Sequence, residues 1–151
     1  MDWQDLILTT PAQIEGLLRQ IQRVAVLGIR PERAADRPAH YVPAALAEMG
    51  LEILPVPVVD QDVTTILGRP VYSSLADVPS PIDVIDVFRR SEQLPDHLDA
   101  MFAAQPRAVW FQSGIRNDTV AEQLARAGIQ VVQSRCLMVD YRRFLANAPK
   151  R

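Results

Sequence analysis

Arginine recurs in three short stretches of the chain: Arg30, Arg33 and Arg37 in "GIRPERAADRPAH", Arg89 and Arg90 in "VFRRSEQ", and Arg135 in "QSRCLM". A guanidinium is permanently charged, and its planar fork of donors matches the oxygens of a phosphate. The chain as a whole has a formal net charge of −2, so it offers no general attraction to nucleic acid or to an acidic membrane. Local clusters of cations in such a chain point to a polyanionic small ligand.

Other reactive side chains are few. Two histidines and one cysteine leave too little for a structural zinc site. His97 lies in an amphipathic helical pattern and reads as a solvated surface residue. His40 opens a helix and has two readings, a phosphate contact at the positive helix end or a mere helix-start residue. Cys136 also has two: a thiolate favoured by the adjacent Arg135, or a small buried hydrophobe. Ser113-Gly114 has no histidine–acid pair beside it. Neither a GxxxxGK[ST] loop nor a GxSxG elbow is present.

The elements that must carry these residues follow from the apolar pattern. Thr10-Pro11 reads as a helix start, followed by Ile14, Leu17, Leu18 and Ile21 on one face. "RVAVLG" is a short strand buried on both faces and ending at Gly28. A helix through Val42, Leu46 and Met49 ends at Gly50. It is expected to begin between Ala39 and Val42, because Pro43 is tolerated only in a first turn. Leu51 to about Val56 is a second strand. A loop-like stretch follows, with a short strand near Pro70-Val71 and a single turn at Ser74 to Val78. Ile82 to Phe88 is a third long strand, and Ser91 is the expected cap of the helix after it. "RAVWFQ" and "IQVVQ" are further strands, separated by a helix from Asn117 to Gly128, and "CLMVDYRRFL" closes the chain as a helix.

Strands alternate with helices over short connections. That order predicts the α/β class: a Rossmann-like, doubly wound parallel sheet with helices on both faces. Residues 1–22 are expected to form an N-terminal helix packed on a single domain of residues 23–151. The lone cysteine fits a reducing cytoplasm, and neither an export signal nor a membrane anchor is evident in the sequence.

In an open parallel sheet, ligands bind beyond the carboxyl ends of the strands. The first exit is Gly28-Ile29-Arg30, but no glycine triplet follows it. Val56-Pro57 stands at the second exit, where an NAD site has an acid for the ribose. NAD is therefore disfavoured, and Val56 and Pro57 read instead as an apolar wall for an adenine ring. The remaining exits supply Val87-Phe88-Arg89, Gln112-Ser113-Gly114 and Arg135-Cys136.

"VAVLGIRPERAADRPAHYVPAALAEMGLEILPVP", "GRPVYSSLADVP", "IDVIDVFRRSEQLP", "AVWFQSGIRND" and "VVQSRCLMVDY" together resemble the CoA-binding domain family of small bacterial proteins. That family is similar to the CoA-binding Rossmann-like domain of the succinyl-CoA synthetase alpha subunit. The resemblance runs from about Arg23 to Tyr141. It implies a nucleotide-contacting glycine at Gly28 and a proline-and-arginine segment at Pro31 to Pro38. It also implies a Val-x-x-Val-Phe-Arg element at Val84, Val87, Phe88 and Arg89, a Gln-x-Gly exit at Gln112 and Gly114, and an Arg-Cys pair at Arg135 and Cys136. The usual Gly-Ala-Ser loop is Gly28-Ile29-Arg30 here, which changes how closely a pyrophosphate approaches the backbone.

The expectation is a binding or regulatory module for coenzyme A or an acyl-CoA, more a binder than an enzyme. Arg30, Arg33 and Arg37 are the candidates for the 3′-phosphate, with Arg89 next, and His40 and Tyr41 stand nearby on the following helix. The partner is thus a small CoA ligand rather than nucleic acid or membrane, with a homodimer or a protein partner left open. Two alternatives also stay open. One is a small NADP-dependent oxidoreductase or a thiol-dependent enzyme using Cys136. The other is a subunit that kept the fold and lost its ligand.

Overall fold

The computed structural model describes residues 2–148. In chain order the elements are α1 (Pro11–Leu18), β1 (Arg23–Leu27), α2 (Pro38–Glu48), β2 (Glu52–Val56), a short hairpin of β3 (Thr65–Ile66) and β4 (Arg69–Pro70), β5 (Val84–Val87), α3 (Leu94–Ala104), β6 (Ala108–Phe111), α4 (Asp118–Arg126), β7 (Gln130–Val132) and α5 (Leu137–Asn147). The five long strands form one parallel sheet in the order β2-β1-β5-β6-β7.

Side chains on a strand alternate between faces, and here both faces are covered. Val24 and Val26 of β1 join Ile53, Val84, Trp110 and Val132 under Leu17 of α1, Leu46 of α2 and Leu137 and Tyr141 of α5. Ala25 and Leu27 join Leu54, Ile85, Val87, Val109 and Phe111 under Leu94 and Met101 of α3 and Leu124 of α4. This two-sided burial explains why the strands read as unbroken apolar runs. The sheet is thus a Rossmann-like α/β arrangement with helices on both faces.

Local signals fix the element ends. Thr10 and Gln13 form a reciprocal capping box at the start of α1, with Pro11 in the first turn. Asn117 caps α4 by accepting the Val120 N–H at 3.1 Å. The loop between β2 and β5 contains a short strand at Arg69–Pro70 and a single turn at Leu75–Asp77, as its sequence suggests. Before α1, Ile7 bridges in parallel to Val131, and the Leu8 N–H donates to the Val131 carbonyl at 2.8 Å. The edge strand β7 is thereby partly covered.

Two boundaries differ from expectation. Ser91 does not cap α3. It begins a 3-10 turn ahead of that helix, and its hydroxyl accepts the Arg116 N–H at 3.0 Å. Helix α2 begins at Pro38, earlier than expected, so Pro43 lies inside it rather than in its first turn. The hydrogen bond this costs the helix is used by the loop that builds the site.

Candidate functional site

The sheet order puts the reversal point between β1 and β5. From β1 the chain runs through α2 to β2 on one side, and β5 lies on the other. Loops leaving the two strands diverge there and open a crevice at the carboxyl edge. Its volume is about 510 Å3. Gly28, Arg30, Arg37, Pro38 and Ala39 line it from the β1–α2 segment, and Phe88, Arg89, Arg90 and Gln93 from the β5–α3 segment. Val59 and Ile115 complete it from the exits of β2 and β6.

Gly28 is required by this crossing. Its φ is +89°, and a Cβ there would collide with the carbonyl oxygen of Phe88. The Gly28 N–H donates to Val56 and the Phe88 N–H to Leu27, each at 2.9 Å, so the ladder holds to the lip of the crevice.

The loop after Gly28 is held by α2. In a regular helix the Ala39 carbonyl would accept the N–H of residue 43, which is proline and has none. The Arg30 backbone N–H takes that carbonyl instead, at 3.1 Å. The Arg30 carbonyl accepts from Nδ1 of His40 at 2.9 Å. His40 is buried and its Nδ1 is engaged by the Arg30 carbonyl, so of its two readings this nitrogen serves the loop and is not free for a phosphate. The first turn of α2 lines the crevice through Pro38 and Ala39. Pro38 has no N–H, and the His40 and Tyr41 N–H groups donate to the Arg37 carbonyl, so it is the positive end of the helix dipole rather than a row of free donors that favours an anion there.

The arginines divide into two sets. Arg30 Nε and Arg33 Nη2 converge on the buried carboxylate of Asp60, and Arg33 also grips the exposed Asp62 at 2.7 and 2.9 Å. Burial would raise the Asp60 carboxyl, but the two guanidiniums outweigh it and hold the group below the usual carboxylate range. Arg33 is therefore committed to carboxylates and does not line the crevice, contrary to its expected role; Arg30 lines it with its Nε already engaged. Arg37, Arg89 and Arg90 form no ion pair among the described residues. Arg89 Nε donates to Nε2 of His97 at 3.2 Å. Burial and the Arg89 charge hold His97 below its ordinary pKa, which keeps that nitrogen an acceptor. His97 is thus half-buried and orients Arg89, rather than being a solvated surface residue.

Several expected site residues lie outside the crevice. Ile29, Val56, Pro57 and Val87 are buried, with Ile29 and Val87 fully enclosed. Any contact from them would be through the backbone. At the exit of β2 the crevice is lined not by Val56 or Pro57 but by Val59, which is 68% exposed. Gly114 sits in an exposed turn, its N–H donating to Ser134 Oγ at 3.1 Å, and does not line the crevice.

Tyr41, Gln112 and Cys136 do come together, in an adjoining cavity of about 330 Å3. It shares Pro38, Phe88 and Ile115 with the crevice and adds Val42, Ser113, Met138 and Val139. Gln112 is buried, and its Oε1 accepts the Leu137 N–H at 3.1 Å, fixing the start of α5. Trp110 Nε1 donates to the Arg135 carbonyl at 2.8 Å and holds the segment ahead of Cys136. The Arg135 guanidinium does not serve Cys136. It makes two bonds to Asp140, at 2.7 and 2.8 Å, beside a separate small cavity between α1 and α5.

Asp86 had no part in the expected site. It lies on β5 between Val26 and Trp110 of the neighbouring strands, is 0% exposed, and neither carboxylate oxygen has a hydrogen-bond partner.

Residues 22–142 match the model of the CoA binding domain family. The chain belongs to that family. A Bacillus subtilis protein, the uncharacterised YneT, is 36% identical over 133 residues, covering 86% of this chain and 93% of its own. The solved structure of the cell-free ID.343 protein from Thermus thermophilus is 40% identical, with a TM-score of 0.83 over 90% of this chain and 99% of its own. The fold recurs in a dinucleotide-forming acetyl-coenzyme A synthetase of Ca. Korarchaeum cryptofilum, with a TM-score of 0.61 at 18% identity over 78% of this chain and 27% of that one. Family membership supports a CoA-related role for the protein.

Proposed function

We propose that the protein binds coenzyme A or an acyl-CoA in the crevice between the exits of β1 and β5, as a binding or regulatory module without chemistry of its own. The observation that carries this reading is the set Arg37, Arg89 and Arg90. These three guanidiniums form no ion pair among the described residues, and they ring a crevice that the N-terminus of α2 also enters. The ligand has a pyrophosphate and a separate 3′-phosphate to match them. Arg37 comes from one lip, Arg89 and Arg90 from the other, so two phosphate groups can be met at once. The role expected of Arg30 and Arg33 passes to these three.

The absence of a proton-transfer pair among the crevice-lining residues supports binding over catalysis. Arginine stays charged throughout the working pH range and cannot shuttle a proton. An NAD-type site would want a free acid beyond β2. The acid there, Asp60, has both oxygens engaged by Arg30 and Arg33.

The test is calorimetric titration with coenzyme A, dephospho-CoA and NADPH. Coenzyme A is expected to bind, and dephospho-CoA about tenfold more weakly, the loss of one charge-assisted contact. Equal affinities would remove the 3′-phosphate from the reading, and tight NADPH binding that coenzyme A cannot displace would replace it with the dehydrogenase.

A further inference from the structure

We infer that the cavity beyond Phe88 takes the acyl chain of a CoA thioester, so that the cognate ligand is an acyl-CoA rather than free coenzyme A. The inference rests on the CoA reading of the crevice and names which form of the ligand the site is built for.

Three observations meet here. First, crevice and cavity are contiguous, with Pro38, Phe88 and Ile115 forming walls of both. One extended molecule can therefore occupy the two. Second, the ends differ in chemistry. The crevice presents Arg37, Arg89 and Arg90, whereas the cavity is walled mainly by Val42, Phe88, Ile115, Met138 and Val139. An occupant that satisfies both must carry phosphate at one end and hydrocarbon at the other. Third, large hydrophobic side chains left exposed collect here. Tyr41 is 44% and Val139 43% exposed at the cavity, and Val59 is 68% exposed at the crevice. An apolar surface left open beside a cationic site is the usual mark of a ligand groove.

The pantetheine arm is common to coenzyme A and its thioesters and must run from the crevice to the mouth of the cavity, so the apolar remainder of the cavity is what distinguishes the two forms. The arm's two amides need hydrogen-bond partners, and burying an amide without one is costly. The cavity's polar side chains are Tyr41, Gln112 and Ser113, and the Gln112 carbonyl is already used by Leu137. A saturated chain has no such requirement and would cover Tyr41 and Val139.

The experiment is calorimetric titration of the whole protein with coenzyme A, acetyl-CoA, butyryl-CoA and hexanoyl-CoA, repeated on Val139→Asp, with sedimentation of both proteins. Affinity is expected to rise by about fourfold for each methylene buried. In Val139→Asp, which alters an exposed residue, the dependence on chain length is expected to disappear. Equal affinity for coenzyme A and all thioesters would overturn the acyl inference and leave the CoA reading standing. Failure of every one of them to bind would overturn the CoA reading itself. A dimer of the native protein that Val139→Asp dissociates, with no chain-length dependence, would assign the apolar face to a second copy of the chain and overturn the inference.

Discussion

The carbonyl of Ala39 accepts the backbone N–H of Arg30 at 3.1 Å because Pro43, one turn along α2, has no N–H to offer it. A proline inside a helix ordinarily removes a hydrogen bond and leaves a carbonyl unpaired. Here the unpaired carbonyl becomes the anchor of the loop that forms one lip of the crevice. With His40 on the other backbone group, Arg30 is pinned from both sides.

Pro43→Ala tests this coupling. The new N–H would compete for the Ala39 carbonyl and release Arg30. Amide hydrogen exchange at Arg30 is expected to speed up by at least about tenfold, a free-energy loss of about 1.4 kcal/mol and typical of one hydrogen bond. Coenzyme A should bind more weakly while the helix itself is no less stable. An unchanged exchange rate would mean that the loop holds its shape without the bond.

The two sets of arginines should separate in binding measurements. Arg37→Ala, Arg89→Ala and Arg90→Ala are each expected to weaken coenzyme A binding about tenfold, as for loss of one charge-assisted contact. Arg33→Ala should leave affinity within about twofold, since its guanidinium is turned to Asp60 and Asp62 and does not line the crevice. A larger loss from Arg33→Ala than from Arg37→Ala would show that the ligand displaces those carboxylates.

That division was not legible in the sequence. The spacing of Arg30, Arg33 and Arg37 shows a cationic loop at a strand exit, but not which arginines are already neutralised. The partner, Asp60, is about 30 residues away and reaches Arg30 only because β2 lies beside β1. The strands themselves were legible, because two-sided burial makes them continuous apolar runs. Pro43 misled the start of α2 because the N–H that compensates for it comes from another segment. His97 misled for a similar reason: its helix reads as amphipathic, yet Arg89 from the preceding strand exit covers it. Val56 and Pro57 were placed at the right strand end, but it is Val59, two residues beyond Pro57, that emerges at the surface.

Cys136 offers a check on the ligand's path that does not depend on affinity. It is half-buried and lines the apolar cavity. The native protein is expected to react slowly with a small alkylating reagent. Free ligand at about ten times its Kd should slow that reaction by roughly tenfold if it covers the thiol. Intact mass measured over time reads both rates. Saturating ligand with no protection would place the bound arm elsewhere.

Asp86 gives the fold a pH dependence whose sign can be derived. Burial without any partner pushes its carboxyl well above the ordinary range. Below about pH 4, the usual pKa of aspartate, the group is protonated in folded and unfolded chains alike and makes no difference. As pH rises past that point the unfolded chain ionises while the folded one cannot, so unfolding is favoured and stability is lost until the folded pKa is passed. Asp86→Asn keeps the volume and removes the titration, so the variant should gain on the native protein from pH 4 towards pH 7. Asp86→Leu also removes the unpaired polar group and should gain further at pH 7, by about 1–3 kcal/mol where the core accepts the added volume. Urea unfolding at several pH values measures both. If the native protein and Asp86→Asn show the same pH profile, Asp86 does not resist ionisation in the folded chain, and the carboxyl must have found a partner such as a buried water.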